Sequence, residues 1–408
     1  MTPETAIGES RESMHGASRL LILALACQAS ISIVQWGLGV IAPDLQARYD
    51  LSAASLGALV NATALGNAVA LMAAGVIVDR SGPRKPLLYA GSACGGLLVA
   101  GALLTNPVGL GIALFASGVA GALVAVGATV SVFHGFPPER RGFALGMRQM
   151  SVALGGLLAA LLLPLAVHVG GVRLALGLSG VLTAVTAIVF ALDTPRGPLV
   201  APSAARRVVA PFAVLREPGM GTLLVVALCY ITALDAVLTF AVPALRDGGA
   251  SRGEGSLLFA FISLSAMAAR IGWGRVADSG GGVRRIATLR DVGMVGCAAG
   301  LATWLVWPEG TAVRIVALVV LGFGALGFNG ILYLIAGEMA GAARAGQAVA
   351  LMSTALFGGG ALGAVPLGAL ADAEGYRSLW LAAAGACGLG VLATLRLHPA
   401  TGRRPLPD

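Results

Sequence analysis

Three of the charged side chains inside long apolar stretches stand out, because an ion there is costly to bury and usually has a task. Arg148 lies six residues past Gly142, and Arg270 lies eight residues before Asp278. At the helical rise, each would sit ~9–12 Å inside an apolar layer, counted from the same face. Two guanidiniums at that depth would attract an anion. Asp235 lies deeper in its own stretch, roughly 20–24 Å from that face. A carboxyl there is costly to ionise, which suits it to carry a proton. Plainer readings stand beside these. The arginines could serve a gate by binding Asp278 and backbone carbonyls. Asp235 could make a structural hydrogen bond or face an outer, water-filled cavity.

Polar side chains surround these charges at helical spacing. Gln28, Ser32 and Gln35 follow i, i+4, i+7 and share one helix face. Thr232, Asp235 and Thr239 follow i, i+3, i+7. Asn61, Asn67, Asn329 and Tyr333 add further polar groups to apolar stretches. Such groups either line a cavity or hydrogen-bond between helices. Enzymatic chemistry finds no foothold. His15, His134, His168 and His398 are scattered, and no nucleophile–base pair or metal spacing emerges. No phosphate-cradling loop occurs either, so neither a cofactor nor ATP is expected. The five cysteines (Cys27, Cys94, Cys229, Cys297, Cys387) all fall in apolar runs and read as core thiols.

The elements that must hold these residues are membrane spans. The chain has 408 residues, 57% hydrophobic and 11% charged, against about a quarter charged in soluble proteins. Continuous apolar runs exclude a barrel and leave an all-α membrane protein. Twelve runs can be marked: 20–41, 53–78, 87–105, 108–132, 143–168, 174–192, 219–243, 256–277, 286–307, 311–335, 348–371 and 379–396. The first is too long for a signal peptide. An even number of spans puts both termini on one side. Basic residues choose that side: eighteen fall in the segments that share the termini's side and six in the opposite loops. Both termini are therefore expected in the cytoplasm. Topology thus accounts for the net charge of +8, and nucleic acid is not needed as a partner. The organisation expected is a tail (1–19), a six-helix bundle (20–192), a Pro/Arg-rich linker (193–218), a second bundle (219–396) and a tail (397–408).

The two bundles are repeats. Pro43 pairs with Pro243, Gly75 and Asp79 with Gly274 and Asp278, and Arg141 with Arg344. Gly156 pairs with Gly359, Pro164 with Pro366, and Gly171 and Arg173 with Gly375 and Arg377. The offset drifts only from 199 to 204. Parallel six-helix repeats are a secondary-transporter architecture. The stretch GVIVDRSGPRK (75–85), between spans two and three, matches the loop signature G-x-x-x-D-R-x-G-x-R-K. On these features the whole chain resembles the major facilitator superfamily.

The resemblance implies two pseudo-symmetric bundles that alternate between inward- and outward-open states, with spans one, four, seven and ten lining the path. It makes Gly75, Asp79, Arg80, Gly82, Arg84 and Lys85 a gate, with Asp79 latching onto the start of span eleven. Gly274 and Asp278 form the second copy, with Asp278 on span five; Ser279 replaces its arginine. Gly75 and Gly274 would allow close helix approach. Spans five and eight are neighbours in the family, and an arginine placed like Arg270 resembles monocarboxylate/oxalate and nitrate porters. Asn67 stands where nitrate porters carry a second arginine, which counts against nitrate. Substrate contacts then fall on Arg148, Arg270, Gln28, Gln35, Asn61, Asn329 and Tyr333, and proton coupling on Asp235. The expectation is a monomeric carrier in a bacterial cytoplasmic membrane, moving a small organic anion with a proton. The alternative is proton-coupled efflux of hydrophobic or cationic drugs, although the Gly-Pro of such exporters is missing from span five.

Overall fold

The computed structural model describes residues 3–136, 138–195, 211–279, 281–341 and 344–398. These are helical throughout, with no strand among them. The helices are α1 (Pro3–Gly37), α2 (Ala42–Tyr49), α3 (Ala53–Val60), α4 (Ala62–Ser81), α5 (Gly91–Leu103), α6 (Pro107–Gly135) and α7 (Pro138–Asp193). They continue as α8 (Met220–Asp247), α9 (Arg252–Asp278), α10 (Gly281–Val306), α11 (Thr311–Ala325), α12 (Asn329–Ala340), α13 (Ala345–Glu374) and α14 (Arg377–Thr394). Eleven described stretches are long and apolar enough to cross a membrane. One of them, Met150–Asp193, breaks at Gly170–Gly171 and supplies two crossings, so the chain makes twelve.

Four spans are built from more than one helix, span three starting as a π-helix (Pro86–Ala90) before α5. Span one ends in a 3-10 turn, Leu38–Ile41, before α2. Span two breaks at Asn61, between α3 and α4. Span ten unwinds over 326–328, between α11 and α12. Unpaired backbone inside a bilayer is tolerated only against protein or a wet cavity, so such breaks point toward working parts.

Large apolar side chains stay exposed along the long helices, such as Val108 (71%), Leu161 (61%), Val316 (63%) and Leu389 (63%). A water-soluble surface does not carry a band of this kind, whereas lipid accepts it. Inside, small residues let backbones approach, since apolar burial gives no net drive within lipid. The contacts divide the chain into two compact units, Met1–Tyr49 with Leu59–Ala205, and Asp50–Ala58 with Arg206–Asp408.

In the first unit α1 packs on the first arm of α7, α4 on α6, and α5 on the second arm of α7. A Cβ at Gly66 would meet the Phe115 carbonyl at 2.0 Å, and one at Gly118 the Thr63 carbonyl at 2.0 Å. No larger residue fits at that crossing. In the second unit α8 packs on α13, α9 on α11 and α12, and α10 on α14. Span pairs one–five, two–four and three–six thus recur as seven–eleven, eight–ten and nine–twelve. The repeat reaches the backbone: Gly171 (φ 70°) and Gly375 (φ 79°) turn the chain at equivalent places in a conformation that disfavours any side chain.

Candidate functional site

The first unit holds Arg148 in place. From α7 its Nη2 donates to Gln28 Oε1 on α1 (2.8 Å) and to the Ala125 carbonyl on α6 (2.9 Å). Gln28 in turn donates from Nε2 to Ser32 Oγ at 3.3 Å. Arg148 is 8% exposed and Gln28 7%, so this guanidinium ties three spans together in a nearly dry interior. Nε of Arg148 has no partner. One turn further along α1, Gln35 faces a small cavity lined also by Thr63, Asn67, Cys94 and Ser117. Gln35 Nε2, Thr63 Oγ1 and Asn67 Oδ1 are buried there without partners. Asn61, itself buried, marks the break between α3 and α4.

The second unit presents Arg270 differently. Among the described residues it forms no hydrogen bond or ion pair, and its Nε is buried and unpartnered. Its guanidinium lies close enough to the Tyr333 hydroxyl to interact electrostatically, and Ser353 lies near that hydroxyl. Trp273 shares the Arg270 face three residues on, and its ring packs 5.8 Å from Phe323. The indole lies against Gly327 in the unwound part of span ten; a Cβ there would meet Trp273 Cδ1 at 2.5 Å. Asn329 opens α12 just beyond the break, and both Trp273 Nε1 and Asn329 Oδ1 are buried without partners. Phe328 is fixed from behind by an edge contact with Tyr230 (centroids 5.5 Å), whose hydroxyl donates to the Leu289 carbonyl. The Trp273 indole thus lies at the opening of span ten, against Gly327 two residues before Asn329 and the start of α12, with Arg270 one turn away on α9. Such a set favours a negatively charged group.

Asp235 stands apart from that cluster. It is 4% exposed on α8, its Oδ2 has no partner, and it packs on Gly360 of α13, where a Cβ would come within 2.4 Å of the carboxylate. No cation faces it among the described residues, so an ionised form would be uncompensated.

The gate residues are only partly visible. Gly82 ends α4 with φ 74°. Arg80 and Lys85 are exposed, and Arg84 Nη1 donates to the Thr194 carbonyl (3.3 Å). Asp79 belongs to α4, but its side chain lies outside the described ones. Asp278 ends α9 and is exposed. Among the described residues, a Cβ at Gly75 or Gly274 would meet nothing within 4 Å; much of the starts of spans five and eleven, where their partners were expected, lies outside the described side chains. Arg148 belongs to the first unit and is hydrogen-bonded there, whereas Arg270 belongs to the second and forms no hydrogen bond among the described residues.

Sequence reasoning missed Trp273, Thr63, Ser353 and Gly360. The spacing of Trp273 from Arg270 could have flagged it. So could the glycines of GFGALGF (322–328), a poor helix former for the middle of a span.

The profile of the Major Facilitator Superfamily matches residues 24–364. An uncharacterized MFS-type transporter of Mycobacterium tuberculosis is 25% identical over 395 residues, covering 93% of this chain and 84% of that protein. A gallate transporter of Pseudomonas putida is 31% identical over 131 residues, which is 31% of this chain and 29% of that one. Among solved structures, a bacterial homolog of the human lysosomal transporter Spinster superposes with TM-score 0.76 at 17% identity, covering 93% of this chain and 96% of the other.

Proposed function

We propose that this chain, which belongs to the Major Facilitator Superfamily, moves a small organic anion together with a proton by alternating access. The observation that carries this reading is Arg270, a guanidinium deep in a span without a counter-ion among the described residues. It lies one turn from Trp273 at the opening of span ten, where Trp273 Nε1 and Asn329 Oδ1 are unpartnered. A buried charge without a partner costs free energy, and an anionic substrate would supply what is missing. Arg270 would hold the carboxylate, and Asn329, Tyr333 and Trp273 would orient it. In the first bundle, Arg148, tied to Gln28, and Gln35 and Asn61 are the candidate substrate contacts.

Asp235 is our candidate for the proton. Its carboxyl is nearly dry and its Oδ2 has no hydrogen-bond partner, so exchanging a proton there changes the local charge by a full unit. The match to a gallate transporter, over about a third of each chain, agrees with a carboxylate substrate. Drug export draws no support from the relatives above. From the basic-residue bias we place the carrier in a bacterial cytoplasmic membrane with both termini inside. The Asp79 and Asp278 loops would act as the cytoplasmic gate, the linker as a flexible tie, and the monomer as the working unit.

The test is uptake into proteoliposomes of a carboxylate panel (lactate, oxalate, benzoate, gallate) driven by a pH gradient. Accumulation of one or more, lost in Asp235→Asn when the gradient is the only drive, is the expected result. No accumulation of any acid, together with extrusion of cationic dyes, would replace this reading with the export one.

A further inference from the structure

The N-terminus of α3 is capped from a distant part of the chain. Ser52 Oγ accepts from Ser55 N (3.2 Å), and Leu56 N donates to the Ser52 carbonyl (2.9 Å), as a helix start requires. The two remaining donors of the first turn go elsewhere. Ala53 N donates to Asp372 Oδ1 at 2.7 Å, and Ala54 N to Asp372 Oδ2 at 3.0 Å. One carboxylate from the end of α13, 318–319 residues away, thus completes the first turn of α3.

The helices below the carboxylate are shaped for this contact. A Cβ on Gly368 would lie 2.3 Å from the Ala53 carbonyl, and one on Gly57 would lie 2.5 Å from the Ala364 carbonyl. Ala364, Gly368 and Asp372 recur every four residues on one face of α13, and Ala53 and Gly57 do so on α3. The antiparallel crossing is therefore small residue on backbone, then small residue on backbone, then carboxylate on helix N-terminus. Through it, residues 50–58 are counted with the second unit, although α3 leads into α4 of the first. Nothing in span two or span eleven alone calls for glycine at both places and an acid at the third.

We propose that Asp372 and the Ala364–Gly368 face of α13 form a releasable latch on α3, which must let go once in each transport cycle. It mirrors the expected role of Asp79. There the end of span two offers a carboxylate to the start of span eleven; here the end of span eleven offers one to the start of span two. A carboxylate on two backbone donors suits a latch, because it holds firmly when seated. When it leaves, water can satisfy both partners, since Asp372 and the Ala54 donor lie at an exposed edge. The proposal rests on the alternating-access reading but not on the substrate.

Spin labels at exposed Ala58 and Ala373, in a version with the five native cysteines replaced, report the separation of the two helices by electron double resonance. Asp372→Asn removes one acceptor and turns an amide donor toward a backbone donor. The expected result is a shift toward longer distances, about fivefold in population, the usual scale for losing an N-cap. Gly368→Leu, which cannot seat against Ala53, should give a similar shift by an independent route. If both variants reconstitute and show the unmodified distance distribution, the latch is wrong. If Asp372→Asn does not insert, Gly368→Leu alone decides between the same two outcomes. Because no substrate is added, failure here is separable from failure of the anion assignment.

Discussion

Arg148 and Arg270 are two buried arginines at non-equivalent positions, one in each half of the repeat, and their surroundings differ. Arg148 spends one nitrogen on Gln28 and on the Ala125 carbonyl, and so joins spans one, four and five. Arg270 lies one turn from the Trp273 that packs at the opening of span ten, and among the described residues it has no counter-ion. Depth in the membrane is therefore not what marks a binding cation. The completeness of its hydrogen bonding is, since a satisfied buried charge holds structure and an unsatisfied one awaits a ligand.

Several substitutions can break or sharpen this contrast. The largest effect should come from Arg270→Ala, which should lower carboxylate uptake by at least tenfold, the scale of losing one charge-assisted contact. Its thermal stability should hold or rise, because an uncompensated charge disappears. Arg148→Ala should reverse the pattern. It should cost about 2–4 kcal/mol of stability, since Gln28 and the Ala125 carbonyl are left buried and unpaired; a detergent melting curve reads this directly. Gln28→Leu should be milder, about 1–2 kcal/mol, because the Ala125 contact survives. Smallest is Trp273→Phe, which keeps the ring and drops the N–H. A rise in apparent KM of about fivefold, with unchanged maximal rate, would fit a lost neutral hydrogen bond to substrate.

Much of this architecture can be read from the residues. The spans follow from apolar run length, and the bundles follow from a repeat that the structure carries down to the left-handed Gly171 and Gly375. The charges inside spans were equally visible, because so few occur. What each charge touches was not. Gln28 and Arg148 are 120 residues apart, and their meeting depends on how α1 packs against α7. The opening of span ten was only hinted at by its glycines, since helix propensity is a weak signal within lipid. Asp372 looked like an ordinary acid at the end of a span. Its task appears only when α3 comes to lie beneath it.

The contrast between the two arginines is tested most directly by calorimetric binding of lactate, benzoate and gallate to purified, folded wild type, Arg270→Ala and Gln28→Leu. The expected result is binding of at least one acid by wild type, its retention in Gln28→Leu, and its loss in Arg270→Ala with an unchanged melting temperature. Wild-type affinity in a well-folded Arg270→Ala protein would contradict the account.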